Sequence, residues 1–407
     1  MMIKSEAASE RPVDGKPVVP AGIYVHIPFC VRKCIYCDFA SRPADSPGEI
    51  TDYFDALYYE IESWNRTALR DVLPADTVFI GGGTPSSVPA EFIAGVLERL
   101  PVRENAEITM EANPGTLTPA ALKQYRESGI NRISLGVQSF QDGELRWLGR
   151  IHDADTAVQS VRMIREAGFE NLNLDLMFGF PGQTLESWES TLQRALQLQP
   201  EHISFYSLQI EEGTPLYEMF RTDRVEQLPD EINRAMYHRG IDILQARGLE
   251  LYEISNAARP GYACRHNRKY WTMQPYLGAG AAAHSFLRNC RFANPSGIRE
   301  YIRAMEDCRE NENAGRTGSF PYNVKGREVH GNSREDAISD FLFTGLRLRE
   351  GISLKEYRER FGEDLKEQRR DVIQRFCASG ELIMKDDRLR FTRKGLDITN
   401  YILTELM

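Results

Sequence analysis

No apolar stretch in this 407-residue chain approaches the ~20 consecutive residues that a bilayer-spanning helix needs. The opening MMIKSEAASERPVDGKPVVP lacks the apolar core of a secretion signal, so a polar, flexible lead-in over 1–20 and a cytoplasmic protein are expected. Positive charge is in deficit, with 50 Lys and Arg against 59 Asp and Glu and a net charge of −9. That balance argues against an extended nucleic-acid footprint. Cysteine is sparse and odd in number, at seven, which fits a reducing compartment better than a disulfide framework. With 42% hydrophobic and 27% charged residues, the remaining class is an ordinary soluble globular protein.

What is present is a long alternation of short strand-like runs with amphipathic helical runs. GIYVHIPF (22–29), DTVFIGG (76–82), EITMEAN (107–113), NRISLGVQ (131–138), NLNLDLMFG (171–179) and HISFYSL (202–208) are the strand candidates. Helical patterns lie near 50–66, 89–100, 118–129, 154–168, 184–198 and 229–248. Six βα units in series predict an α/β fold with a parallel sheet, either a partial (β/α)6 barrel or a doubly wound open sheet. The strands alternate rather than running continuously apolar. Leu172, Leu174 and Leu176 oppose Asn171, Asn173 and Asp175; Ile133, Leu135 and Val137 oppose Arg132, Ser134, Gly136 and Gln138. With side chains alternating at period two, one face of each strand is polar. A small closed barrel fills its interior with branched apolar side chains, so a polar interior predicts a splayed barrel around a polar ligand. Glu111, Gln138 and Asp175, with the GGGTP and cysteine loops, fall at C-terminal strand ends, where barrels carry their sites.

The expected layout is a lead-in (1–20), a barrel (21–250), a connecting region (251–332) and a tail (333–407). The tail reads as helix, helix, helix and a hairpin around Asp386-Asp387, which is a winged-helix order. Its third helix, EDLKEQRRDVIQRF, mixes both signs of charge. Structural or partner-docking use therefore suits it better than DNA binding.

Cys30, Cys34 and Cys37 have C-x3-C-x2-C spacing, so three thiols can face one centre from a single loop. Soft thiolates select zinc or an iron–sulfur cluster. His26 is the candidate fourth ligand for zinc, which wants a closed tetrahedral set. A four-iron cluster on three cysteines instead keeps one iron open for an exogenous ligand.

C30-x3-C34-x-Y36-C37 resembles the radical SAM signature, and G81-G-G-T-P85 resembles that family's glycine-rich segment. With YVHIPFC, MEANP, GVQSF and LNLDLMFGFPGQT, the chain from Tyr24 onward is similar to the HemN/HemW branch, including a HemN C-terminal-like winged helix. The resemblance implies a [4Fe–4S] cluster on Cys30, Cys34 and Cys37 with S-adenosylmethionine (SAM) at the open iron. It implies further that Tyr24, Tyr36, Gly82, Gly83, Thr84, Glu111, Gln138, Arg150 and Asp175 surround that cofactor. Reductive cleavage of SAM would then depend on an electron donor.

Within the branch, the oxygen-independent coproporphyrinogen III dehydrogenases carry an N-terminal extension serving the substrate and a fourth cysteine two residues after the third. Only 23 mostly polar residues precede Tyr24 here, and Phe39 stands at the fourth-cysteine position. Both departures resemble the haem-chaperone side, as does R265-H-N-R-K-Y-W271, similar to its HNxxYW motif. The resemblance implies haem and a haem-acceptor protein as partners, with His266 the leading axial-ligand candidate and Cys264 a weaker one. His284, in Y276-LGAGAAAHSF, is equally well explained by a structural role.

Overall fold

The six repeats form as anticipated. β1 (Gly22–Ile27), α1 (Pro47–Asn65), β2 (Ala75–Gly82), α2 (Ala90–Arg99), β3 (Val102–Ala112), α3 (Pro119–Glu127) and β4 (Arg132–Gln138) follow in order. Then come α4 (Asp142–Trp147), α5 (Ala154–Glu166), β5 (Asn171–Phe178), α6 (Leu185–Gln197) and β6 (His202–Ser207). This computed structural model describes residues 19–66, 72, 74–314 and 323–407, so the expected lead-in lies outside the described residues up to 18. Each of β1 to β5 pairs in parallel with the next strand. Ser46, Thr118, Asp153 and Thr184 cap α1, α3, α5 and α6 by accepting a first-turn backbone N–H, which satisfies donors that the helix leaves orphaned.

The alternation sorts as read. Ile133, Leu135, Val137, Leu172, Leu174 and Leu176 are fully buried in one core with the surrounding helices. Arg132, Ser134, Gly136, Gln138, Asn173 and Asp175 line an interior cavity. A shift of register by one residue would exchange the two sets, so the outer apolar face determines which groups the cavity receives.

Residues 251–332 do more than connect. After α7 (Pro215–Arg221) and α8 (Asp230–Gln245), β7 (Glu250–Glu253) and β8 (Asn256–Ala258) add antiparallel strands beyond β6. Next come α9 (Arg265–Trp271), β9 (Tyr276–Ala279), β10 (His284–Leu287), β11 (Cys290–Ala293), α10 (Ile298–Asn313) and β12 (Glu328–Gly331). β9 pairs in parallel with β1, and β10 to β12 extend that edge antiparallel. Among the described residues the sheet has 12 strands, with β1 to β6 in the middle. The added strands span only three or four residues each, too short for a period-two pattern to stand out in the sequence.

The tail is a separate winged-helix module. It comprises α11 (Arg334–Gly345), β13 (Ile352–Ser353), α12 (Leu354–Phe361), α13 (Leu365–Gln368), α14 (Arg370–Ala378), β14 (Leu382–Lys385), β15 (Arg388–Phe391) and α15 (Thr399–Leu406). Asp386 and Asp387 both have positive φ, 52° and 61°, as a two-residue type I′ hairpin turn requires. β13 adds a third strand to the hairpin, and the third helix breaks at Arg369 into α13 and α14. Two of its four basic residues are engaged within the chain: Arg369 donates to the Leu406 and Met407 carbonyls, and Arg375 pairs with Glu405. Met273 and Phe286 of the sheet module share the tail's core, and Arg268 pairs with Glu350 at 2.7 Å. No helix among the described residues is long and apolar enough to cross a membrane.

One buried polar knot ties the added edge to the barrel. Glu60 of α1 is fully buried and accepts from Gly280 N (2.9 Å), Tyr301 Oη (2.8 Å), Asn294 Nδ2 (3.0 Å) and Arg327 Nη2 (2.6 Å). Removing one partner of such a pair strands the other charge. Glu60→Ala is expected to lose about 3–5 kcal/mol of stability, measured by urea denaturation; a loss below ~1 kcal/mol would show that the knot is not holding this edge.

Candidate functional site

The cysteine loop leaves β1 and returns at a closed neck. Cys30 N donates to the Arg42 carbonyl (3.1 Å) and Arg42 N to the Pro28 carbonyl (2.9 Å), while the Arg42 guanidinium grips the Glu49 carboxylate with both amino groups, at 2.9 and 2.5 Å. Inside the loop, Lys33 Nζ donates to the Phe39 carbonyl (2.9 Å). His26 hydrogen-bonds Tyr24 Oη through Nδ1 (3.0 Å) and the Ala40 carbonyl through Nε2 (3.0 Å). Both ring nitrogens of His26 are thus committed to positioning the loop, which removes it as an open fourth zinc ligand. Ile35 and Tyr36 pack on an apolar cluster of Leu148, Met177, Phe180, Leu208 and Leu216, and the Ile35 carbonyl accepts from Leu216 N at 2.9 Å.

The glycine-rich segment passes beneath this loop. Gly83 N donates to the Ile27 carbonyl (2.8 Å) and Thr84 N to the Phe29 carbonyl (2.7 Å). A Cβ on Gly83 would stand 2.6 Å from the Phe29 oxygen, and one on Gly82, whose φ is +111°, 2.5 Å from the His26 ring. No side chain fits at either position. Thr84 Oγ1 lies 3.5 Å from Cys30 Sγ and accepts from Asn113 Nδ2 at 2.8 Å.

Arg150 closes the opposite side. Its Nη1 lies 3.5 Å from Cys34 Sγ, and Nη2 donates to Asn113 Oδ1 (2.5 Å) and the Gly136 carbonyl (2.6 Å). Gln138 sits at φ +68°, where β4 slips register against β5, and accepts from Tyr206 Oη at 3.1 Å. A non-glycine residue held in this region stores backbone strain, which clusters at functional sites.

The thiols, the glycine segment and the Arg150–Gln138 side line one cavity of about 660 Å³, within the range of small-molecule sites. It gathers Cys30, Cys34, Cys37, Tyr24, Tyr36, Gly82, Gly83, Thr84, Glu111, Gln138, Arg150, Asp175 and His266 from distant parts of the sequence. Among the described residues no group of three or more His, Cys, Asp or Glu side chains is placed to hold a single metal ion. The three thiols line the same cavity from a single loop.

The electrostatics of the upper cavity are unbalanced. Glu111 accepts from Gly82 N (3.1 Å), yet burial, then the Asp175 charge, push its carboxyl up to about 8. Burial also raises Asp175, although Asn173 Nδ2 (2.7 Å) and Ser134 Oγ (3.1 Å) donate to it. Two carboxyl groups driven towards neutrality mark a place that would accept a cation. The sulfonium and ammonium of SAM carry that charge, so the donor set fits the group.

His266 lies at the other end of the barrel. It is fully buried on α9, with Nδ1 hydrogen-bonded to Thr77 Oγ1 (2.9 Å) and Nε2 to Tyr270 Oη (2.8 Å). Burial lowers its pKa to about 3, so the ring is neutral. As an axial ligand it meets a condition that the sequence did not show: the Tyr270 hydroxyl must first release Nε2. Cys264 is buried against Glu107 Oε1 at 3.5 Å, and burial raises its thiol to about 12, far from the thiolate that a metal needs. His284 is exposed, outside this cavity.

Sequence reading missed Asn113 and Tyr206 and gave Asn173 a place on the polar face but no role; all three face the cavity. The signal was available: Asn113 stands two residues after Glu111 and Asn173 two before Asp175, on the same strand faces.

Known proteins agree with this geometry. Residues 24–195 match the Radical SAM superfamily model and residues 332–398 the HemN C-terminal domain model. The heme chaperone HemW of Bacillus subtilis is 35% identical over 389 residues, covering 93% of this chain and 97% of its own. This chain belongs to the HemW family of radical SAM proteins. The Escherichia coli heme chaperone HemW is 39% identical over 303 residues, 71% of this chain and 78% of its own. Among solved structures, Escherichia coli coproporphyrinogen III oxidase (HemN), a radical SAM enzyme, has a TM-score of 0.79 at 21% identity, covering 96% of this chain and 91% of that one. That likeness confirms the partial (β/α)6 barrel with a winged-helix tail for this HemW-family chain.

The Glu111 environment makes a pH prediction for the protein without SAM. The folded carboxyl keeps its proton up to about 8, while the unfolded one releases it near the ordinary 4.5. The folded state therefore binds more protons in between, and this contribution to stability, complete below pH 4.5, is lost as pH rises through about 8. Across that window Tm of the wild type should fall relative to Glu111→Gln by several degrees; parallel Tm curves would show that Glu111 is not held protonated.

Proposed function

We propose that this protein is a cytoplasmic haem chaperone that holds a [4Fe–4S] cluster and SAM, binds haem and passes it to an acceptor protein. Cys30, Cys34 and Cys37 would hold the cluster. When bound, the cluster supplies an open iron position and a route for one electron from a donor. Gly82, Gly83 and Thr84 would carry the methionine end of SAM, with no side chain between it and the backbone. Glu111 and Asp175 would meet its positive charge, Arg150 its carboxylate, and Tyr24, Tyr36 and Gln138 would bound the site.

The observation that carries the reading is the convergence of every one of these side chains on a single cavity, in a chain 35% identical along almost its whole length to a protein named as a heme chaperone. The rim carries exposed apolar residues: Val31 and Ile151, 58% and 52% exposed, beside the cysteine loop, and Phe39, 59% exposed, on the main cavity. Phe39 occupies the position where the decarboxylating enzymes have a fourth cysteine. Clustered exposed apolar residues of this kind mark interaction surfaces.

Two measurements test the proposal. In the first, reconstituted protein is incubated anaerobically with SAM, a low-potential reductant and coproporphyrinogen III. The tetrapyrrole should emerge unchanged while iron and sulfide analysis shows an intact four-iron cluster that Cys34→Ala abolishes. A vinyl-bearing product would make the protein a coproporphyrinogen dehydrogenase instead, and zinc in place of iron and sulfide would remove the cluster. The second concerns the haem ligand. Tyr270→Phe leaves Nε2 of His266 without its partner, so haem affinity should rise roughly three- to tenfold and His266→Ala should abolish the gain. A haem titration indifferent to both substitutions would take His266 out of the haem site.

A further inference from the structure

The lower half of the barrel interior contains a charge that none of the roles above uses. Arg132 opens β4, is 1% exposed and lines the cavity. Its Nε is buried with no hydrogen-bond partner, and no ion pair involves it among the described residues. Cys264, Glu107, Tyr252 and Asp175 lie near enough to favour its charge against burial, but none hydrogen-bonds it, and both carboxylates have other partners. Glu107 accepts from the backbone N–H groups of Arg265 and His266, each at 3.1 Å, and Asp175 from Ser134 and Asn173. The neighbouring Cys264 and Tyr252 are held neutral by burial. A guanidinium keeps its proton in such a site, and here its buried Nε–H is left without an acceptor, which is costly.

The surrounding row shows the same deficit. Thr109, Arg132 and Asn171 are cross-strand partners on β3, β4 and β5, and Thr109 Oγ1 and Asn171 Oδ1 are also buried without partners. Along the same row towards β1 the positions are Phe79 and Tyr24, whose rings stack at 6.4 Å between centroids. One side of the floor thus offers a planar two-pronged cation and the other an aromatic wall.

The geometry points to a second ligand subsite at the barrel floor, in which Arg132 takes the carboxylate of an organic acid whose apolar body lies along Phe79 and Tyr24. Guanidinium and carboxylate match as two parallel N–H···O bonds, which would complete the one buried cation on this row. The subsite shares the Tyr24 ring with the proposed cofactor site but needs neither cofactor nor haem, so its test in the absence of both stands or falls independently of the proposed function.

The test is a calorimetric titration of the full-length chain, with neither SAM nor haem, using sodium 3-phenylpropionate, propionate, phosphate and chloride at matched ionic strength. Saturable binding of phenylpropionate, tighter than that of propionate, is expected, and Arg132→Met should weaken it about tenfold or more. If Arg132→Met does not fold, Arg132→Lys keeps the charge but loses the fork and should still weaken phenylpropionate. Failure of both carboxylates to bind, equal binding by phosphate or chloride, or an affinity unchanged by either substitution would overturn the subsite.

Discussion

The site depends on an interior that cannot be dry. Parallel strands flanked by helices ordinarily bury apolar side chains on both faces, but β3, β4 and β5 turn only one face to the helices. The other brings carboxylates, amides and a guanidinium into an interior cavity. Such groups are costly to bury unless each finds a partner. Some find partners within the protein, as in the Asn173–Asp175–Ser134 set. Those that do not define what the cavity lacks: positive charge near Glu111 and Asp175, a hydrogen-bond acceptor near Arg132.

The cysteine loop illustrates a second use of the same polar face. Tyr24 and His26 are interior residues of β1, and their hydrogen bonds end on the Ala40 carbonyl at the far side of the loop. Strand register, loop position and glycine segment are therefore coupled, since the His26 ring occupies the space that a side chain on Gly82 would need. The three thiols are held by the barrel's own interior rather than by a free-standing loop.

At the opposite end α9 closes the floor and faces the winged-helix module. His266 and Tyr270 point into the barrel while Arg268, on the same helix, pairs with Glu350. Trp271 lies under the Arg347 guanidinium, 5.7 Å from ring centroid to charge. The helix that carries the proposed haem ligand is also the helix through which the tail meets the barrel, so a change at the floor has a direct mechanical path to the tail.

Much of this was legible before any fold was known. The period-two pattern in NLNLDLM and NRISLGVQ, six strand–helix repeats and three closely spaced cysteines predict a polar-lined partial barrel with a soft-ligand centre, because each is a local property of consecutive residues. Even the hairpin turn at Asp386-Asp387 follows from local backbone preference. The tertiary structure alone decided matters that depend on who stands next to whom. It spent both nitrogens of His26 and of His266, kept Cys264 a buried thiol, drew the short strands of 251–332 into the sheet, and left Arg132 without a hydrogen-bond partner. A histidine, a thiol or an arginine reads the same in sequence whether its neighbour is a carboxylate, a hydroxyl or an empty space, and that neighbour, brought in from a distant strand, determines its charge and its use.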